Sequence, residues 1–131
     1  MPWCSAHRAD LPVLYNRYQR ALENNTLREG EVAVLRPLFA TAWLIADFMQ
    51  EAADFGASTM LLSSASSKTA YATAFCLKRR HAPTCIVGAT SPSRHAFASS
   101  LGIFDDVIDY GALASLPANE PTLYIDFAGD A

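Results

Sequence analysis

The chain has 131 residues, 51% of them apolar and 18% charged, with a formal net charge of −3. That length suits one domain with a real core, and the balance is that of an ordinary globular protein. The negative charge argues against a general nucleic-acid or membrane-surface binder, since both need a basic footprint.

The segment Lys78-Arg79-Arg80-His81 is the one local basic cluster. It reads as a solvated helix C-terminus, where the helix dipole favours cations. The three cysteines, Cys4, Cys76 and Cys85, are odd in number and widely spaced, so they form no disulfide framework and no Cys-x-x-Cys pair. Cys76 and Cys85 fall in apolar segments and read as buried thiols. No apolar run approaches the roughly 18 residues of a spanning helix, so none is expected. The N-terminus lacks the apolar stretch of a signal peptide. A cytoplasmic protein, with no membrane and no nucleic-acid partner, is the expectation.

Taken in order, residues 1–10 carry no periodic pattern. Over 11–24, Leu11, Leu14, Tyr15, Tyr18, Ala21 and Leu22 recur at helical spacing, although Val13-Leu14-Tyr15 could equally begin a strand. Asn24-Asn25-Thr26 and Glu29-Gly30 are turn signals. Pro37 allows a helix start, and Leu38, Ala42, Ile45, Ala46, Met49 and Ala53 form one stripe, widened by Trp43 and Phe48. That helix is expected to be largely covered and to end at Gly56. Asp47, Glu51 and Asp54 read as its solvated side.

A strand is predicted near Thr59–Ser63, then a helix near Ser67–Arg80. Thr84–Gly88 reads as a second short buried strand. A helix follows near Pro92–Leu101, with proline in its first turn and Gly102 as its stop. Val107–Tyr110 and Leu123–Phe127 read as third and fourth strands, with a helical turn over 111–116 between them.

Apolar strands alternating with helices of about ten residues define a parallel α/β sheet. Right-handed crossovers favour the order 3-2-1-4. The predicted fold class is therefore a Rossmann-like parallel sheet with flanking helices and its C-terminal strands missing. The expected division is an N-terminal extension or linker over 1–36 and a partial Rossmann-like domain over 37–131. The fourth strand would be left as an apolar edge, which implies either a fragment or a homo-oligomer formed through that edge.

The turn between the first strand and its helix, Ser63-Ser64-Ala65-Ser66-Ser67-Lys68-Thr69-Ala70, is the candidate site. A dinucleotide fingerprint wants Gly-x-Gly-x-x-Gly/Ala there. Ala65, Ser67 and Ala70 stand at those positions, so only the third fits. Small residues still let a backbone approach a ligand closely, and Ser64, Ser66, Ser67 and Thr69 can donate to phosphate oxygens. Lys68 adds a charge at the helix start. A plain serine-rich N-cap region is the other reading of the same residues. The Ser-Lys-Thr sequence also ends a P-loop, but the glycines that motif requires fall at Leu62 and Ser67. After the second strand, Gly88-Ala89-Thr90-Ser91-Pro92-Ser93-Arg94-His95 holds no acid for a ribose 2′-hydroxyl. Ser91 and Arg94 suit a 2′-phosphate instead, which favours NADP over NAD.

Three blocks together resemble the medium-chain dehydrogenase/reductase superfamily, in its zinc-free, quinone-oxidoreductase-like branch. They are Gly56-Ala57 leading into strand, turn and helix; Ser99-Ser100-Leu101-Gly102-Ile103-Phe104-Asp105-Asp106-Val107-Ile108-Asp109-Tyr110; and Tyr124-Ile125-Asp126-Phe127-Ala128-Gly129. More narrowly, Leu35–Thr41 and Leu62–Ala70 look like a subfamily catalogued as a domain of unknown function, whose members carry a Ser-Ser-Lys-Thr-Ala turn in place of the glycines. The resemblance implies NADP(H) binding. Ser66, Ser67, Lys68 and Thr69 would lie at the pyrophosphate, and Ser91 and Arg94 at the 2′-phosphate. Tyr110 would lie near the adenine, and Ala128 and Gly129 near the nicotinamide. Relatives also carry a substrate domain, which this chain lacks.

Other chemistry is thinly represented. His7, His81 and His95 have no Cys or acid at ligand spacing, so no metal is expected. Asp126 reads as a residue that closes a turn. No Gly-x-Ser-x-Gly elbow occurs. The leading expectation is the NADP-binding portion of a zinc-independent oxidoreductase acting on a carbonyl, quinone or enone. The alternatives are a non-catalytic nucleotide-binding module and a degenerate Rossmann interaction domain. No residue is assigned a catalytic role.

Overall fold

A computed structural model describes residues 7, 9–12, 16, 26–80 and 84–129. The helix predicted over 11–24 lies almost entirely outside them, as do Cys4 and His81. The chain divides into two units, residues 1–33 and 34–131. The second holds the sheet.

The element order is α1 (Thr26–Glu51), β1 (Thr59–Leu62), α2 (Lys68–Arg79), β2 (Cys85–Thr90), α3 (Pro92–Ser100), β3 (Asp106–Asp109) and β4 (Thr122–Ile125). The four strands form one parallel sheet in the order β3-β2-β1-β4. This is the predicted topology. β2 and β3 are added outward on one side of β1, and β4 returns to its other side. Thr59 pairs with Cys85 on one side and with Thr122 on the other, so β1 is central.

Strand side chains alternate between two faces. Met60, Leu62 and Ile86 point to one, where Ala46 and Met49 of α1 and Ala74, Cys76 and Leu77 of α2 complete the main core. Leu61, Val87 and Ala89 point to the other, against Ile108 and the crossover residues Leu113 and Leu116. Both faces of the central strands are therefore covered, which is why they read as continuous apolar runs.

Helix α1 departs from expectation. It begins at Thr26 and runs through Glu29, Gly30 and Pro37, which the sequence had marked as turn and start. Residues 31–36 are mostly tolerable in a helix, and an internal proline forfeits one backbone hydrogen bond without forcing a stop. Thr41 Oγ1 donates to the Pro37 carbonyl at 3.0 Å.

The expected coverage of α1 also fails. Ala42, Ala46 and Met49 are buried, whereas Leu35, Phe39, Trp43 and Phe48 are exposed. Only the C-terminal half of the stripe meets the sheet. Among the described residues, Arg28–Glu51 has the length and mean hydropathy to cross a membrane, although charges interrupt its apolar run. Nor is its acidic side purely solvated: Asp47 accepts from the Arg80 guanidinium at 2.8 Å, and Arg80 lies over the Trp43 ring.

The helix stops at Glu51, not at Gly56. Ala53, Asp54, Phe55 and Gly56 all take left-handed backbone conformations, which disfavour residues with a Cβ. Thr84 Oγ1 donates to Asp54 Oδ2 at 2.7 Å, and the Phe55 ring tilts onto Phe48 at 5.6 Å between centroids. These contacts offset the strain.

Strand β2 runs two residues further than predicted, to Thr90. Cys85 opens it and is exposed, correcting the expected burial, while Cys76 is buried as expected. The start of a strand lies at the rim, where no helix covers it. Partial burial, with the nearby Asp105 and Asp106 carboxylates, still pushes the Cys85 thiol pKa up. That favours an unreactive thiol.

Gly88 is fixed by packing. A Cβ there would stand 2.7 Å from the Ala65 Cβ and 3.0 Å from the Phe104 ring. Gly88→Ala should therefore destabilise the fold by about 1–3 kcal/mol through overpacking. Denaturant midpoints should show this loss, and part of it should return in the Ala65→Gly background, where the nearer clash is gone.

Candidate functional site

The C-terminal ends of the four strands share one rim of the sheet. In open α/β sheets ligands bind outside that rim, where the strand order reverses. Here the reversal lies between β1 and β4.

The turn from β1 into α2 is pinned on three sides. Ser63 N–H donates to the Ile125 carbonyl at 3.0 Å, extending the ladder toward β4. Ala65 N–H donates to the Ala89 carbonyl at 2.9 Å, tying the turn to β2. Between them Ser64 takes a left-handed conformation, φ +48°. Its N–H donates to the Tyr110 hydroxyl at 2.8 Å. Ser67 is the N-cap of α2, and its Oγ accepts from Ala70 N–H at 3.3 Å.

Candidate residues divide by what they have left to offer. Ala65 is fully buried with its N–H taken, so it supports the turn from beneath. Lys68 and Thr69 open the helix, where the first N–H groups have no intrahelical acceptor, and Ser66 stands just before the N-cap. Lys68 is exposed, with no ion pair among the described residues, and no acid occupies the first turn of α2.

Helix α3 repeats this pattern after β2. Its first turn also lacks an acid, and the exposed Arg94 lies there without an ion pair among the described residues. Ser91 occupies the N-cap position, but its hydroxyl makes no capping bond and pairs instead with Ser93 Oγ at 3.1 Å.

At the other side of the reversal, Ser63 is fully buried. It donates to Asp126 Oδ1 at 2.6 Å and accepts from the N–H groups of Phe127 at 2.6 Å and Ala128 at 3.2 Å. The Asp126 carboxylate also accepts from Ala128 and Gly129 N–H at 2.8 and 3.1 Å. Asp126 thus closes the turn after β4, as expected of it. The same bonds engage the Ala128 and Gly129 N–H groups, so neither amide is left for a ligand. The Ser63 hydroxyl and these amides hold the Asp126 carboxyl below the ordinary range.

Two pairings were invisible as spacing. His95 Nδ1 lies 3.0 Å from Asp109 Oδ1, which joins α3 to the end of β3. Asp105 Oδ1 accepts from Lys78 Nζ at 2.7 Å and Oδ2 from Ile86 N–H at 2.8 Å, clamping the start of β3 to α2 and β2. These contacts lower the Asp105 pKa. Among the described residues, no three His, Cys, Asp or Glu side chains gather as a metal site would require.

The parallel sheet and its pinned turn define an α/β protein of Rossmann-like type. Within that class, the chain belongs to the family described as protein of unknown function DUF2855, whose model matches residues 3–131. Searches of curated proteins and of solved structures returned no match.

Removing the Ser63 hydroxyl strands the Phe127 amide, leaves the Ala128 amide to Asp126 alone and takes one donor from the Asp126 carboxylate. Ser63→Ala should destabilise the protein by about 1–3 kcal/mol, read as a lower urea midpoint at neutral pH.

The depressed carboxyls set the sign of the acid response. Their stabilisation is complete above the unfolded carboxylate pKa of about 4 and drains as pH falls through the lower folded values. Asp105→Asn should lower stability at pH 7 and flatten the loss below pH 4, measured as urea midpoint against pH.

Proposed function

We propose that this chain is the NADP-binding portion of a zinc-independent oxidoreductase related to quinone and enone reductases. The observation that carries this reading is a doubled one. Two consecutive helices, α2 and α3, begin at the same rim of the sheet. Each carries an unpaired cation and no acid in its first turn. A cation at a helix N-terminus opposes the helix dipole and is locally unfavourable. An anionic ligand at each helix start reverses that balance. Phosphates near both α2 and α3 describe a dinucleotide with a further phosphate on its ribose.

In this reading Ser66, Ser67, Lys68 and Thr69 hold the pyrophosphate, and Ser91 and Arg94 hold the 2′-phosphate. Tyr110 borders the adenosine side. Ala128 and Gly129 leave room for the nicotinamide, with the turn kept rigid by Asp126. The donor set fits such a group: hydroxyls, amides and cations face the rim, and the one acid nearest α3, Asp109, is engaged by His95. When bound, the cofactor supplies hydride chemistry. The residues of this chain bind and orient it. Carbonyl, quinone or enone substrates follow from the resemblance of the three sequence blocks.

Titration of the chain with NADPH and NADH, followed by nucleotide fluorescence, tests the assignment. NADPH should bind more tightly. Lys68→Ala should weaken both nucleotides by about tenfold, the scale of one charged hydrogen bond. Arg94→Ala should abolish the preference and leave NADH affinity unchanged. A folded protein that binds neither nucleotide at millimolar concentration would falsify the reading.

A further inference from the structure

We propose that Tyr110 is a gate on the turn after β1, occupying a donor that a phosphate must take over. The inference rests on the phosphate-binding reading above and adds a regulating contact to it.

The Ser64 amide differs from its neighbours. The N–H groups on either side of Ser64 are built into the sheet, Ser63 toward β4 and Ala65 toward β2. The left-handed backbone of Ser64 takes its own N–H out of that ladder. Its partner comes from two strands away: Tyr110 follows β3, and β2 lies between β3 and β1. The register sets Asp109 beside Thr90, so the Tyr110 side chain crosses the end of β2 to reach the turn. It thereby spans the rim on the side from which an adenosine-bearing ligand would approach α2.

A phenol hydroxyl can accept one hydrogen bond and donate another. Here it accepts from Ser64, and its own proton has no acceptor among the described residues. The contact is a neutral hydrogen bond at a site 38% exposed. A phosphate oxygen makes a charge-assisted bond to the same amide, roughly twice as strong. Binding is then an exchange in which phosphate takes the Ser64 amide and Tyr110 swings away. The unliganded chain keeps its amide satisfied, and a ligand without phosphate has nothing with which to displace the tyrosine.

Tyr110→Phe keeps the ring and removes the latch. Sodium pyrophosphate is the probe and adenosine the phosphate-free control, both titrated into the full chain labelled with nitrogen-15. The variant should bind pyrophosphate about fivefold more tightly than the parent, the ratio expected from one neutral hydrogen bond. Adenosine should leave the Ser64 amide resonance of the parent unshifted. In the parent chain, pyrophosphate should shift the Ser64 amide resonance and deprotect it from the tyrosine contact. Equal or weaker binding by a folded Tyr110→Phe overturns the gate and leaves the phosphate site standing. If that variant does not fold, pyrophosphate binding to the parent without change at the Ser64 amide overturns it equally. Binding by neither protein overturns the phosphate reading, and the gate with it.

Discussion

A single methyl group seated on a glycine sets the geometry of this sheet's working rim. Ala65 lies so close to Gly88 that no side chain fits between them. The contact fixes how near the turn after β1 comes to β2, and so where α2 begins. The Ala65 amide bond to Ala89 secures the same approach from the backbone side. Dinucleotide-binding turns ordinarily use glycine so that helix, strand and ligand can come close. Here the close approach is kept, but the glycine sits in the neighbouring strand. A turn without glycine is thereby compatible with tight packing, and its serines remain at the rim.

The central architecture was legible because both faces of the sheet are covered. Met60-Leu61-Leu62 and Ile86-Val87 are apolar without alternation, and such runs bounded by small residues give few options besides parallel strands. Short crossovers then leave one plausible order. What escaped the sequence was long-range. Nothing in the string links Ser63 to Asp126 or His95 to Asp109, because hydrogen bonds between loop ends leave no periodic signal. The doubled pattern of a cation without an acid at two helix starts was readable residue by residue, since it depends only on the first turn of each helix.

Helix α1 misled for an instructive reason. Its stripe holds as far as Met49, and Ala42, Ala46 and Met49 are buried, but Ala53 falls beyond the end of the helix. Periodicity reports which residues share a face and not how much of that face another element reaches. Pro37 carried the opposite error. Local chemistry marks a proline as a start or a stop, yet a helix with apolar contacts further along can tolerate one missing donor. Gly56 misled in a third way, because the left-handed conformation expected of it spread back over Ala53, Asp54 and Phe55.

The strand ladder has a consequence for the order in which the site is assembled. β1 meets β2 across a short crossover, but Thr59 meets Thr122 only after the chain has passed through both other strands. Contacts so distant in sequence carry a larger loop-closure entropy and form late. The hydroxyl of Ser63 reaches Asp126 over a separation of 63 residues, so loop-closure entropy favours that junction closing after the turn and α2. The rim is thus a composite of an early half and a late half. Opening of the β4 edge alone would release the Ser63–Asp126 junction and leave the bond from Ala65 to Ala89 in place.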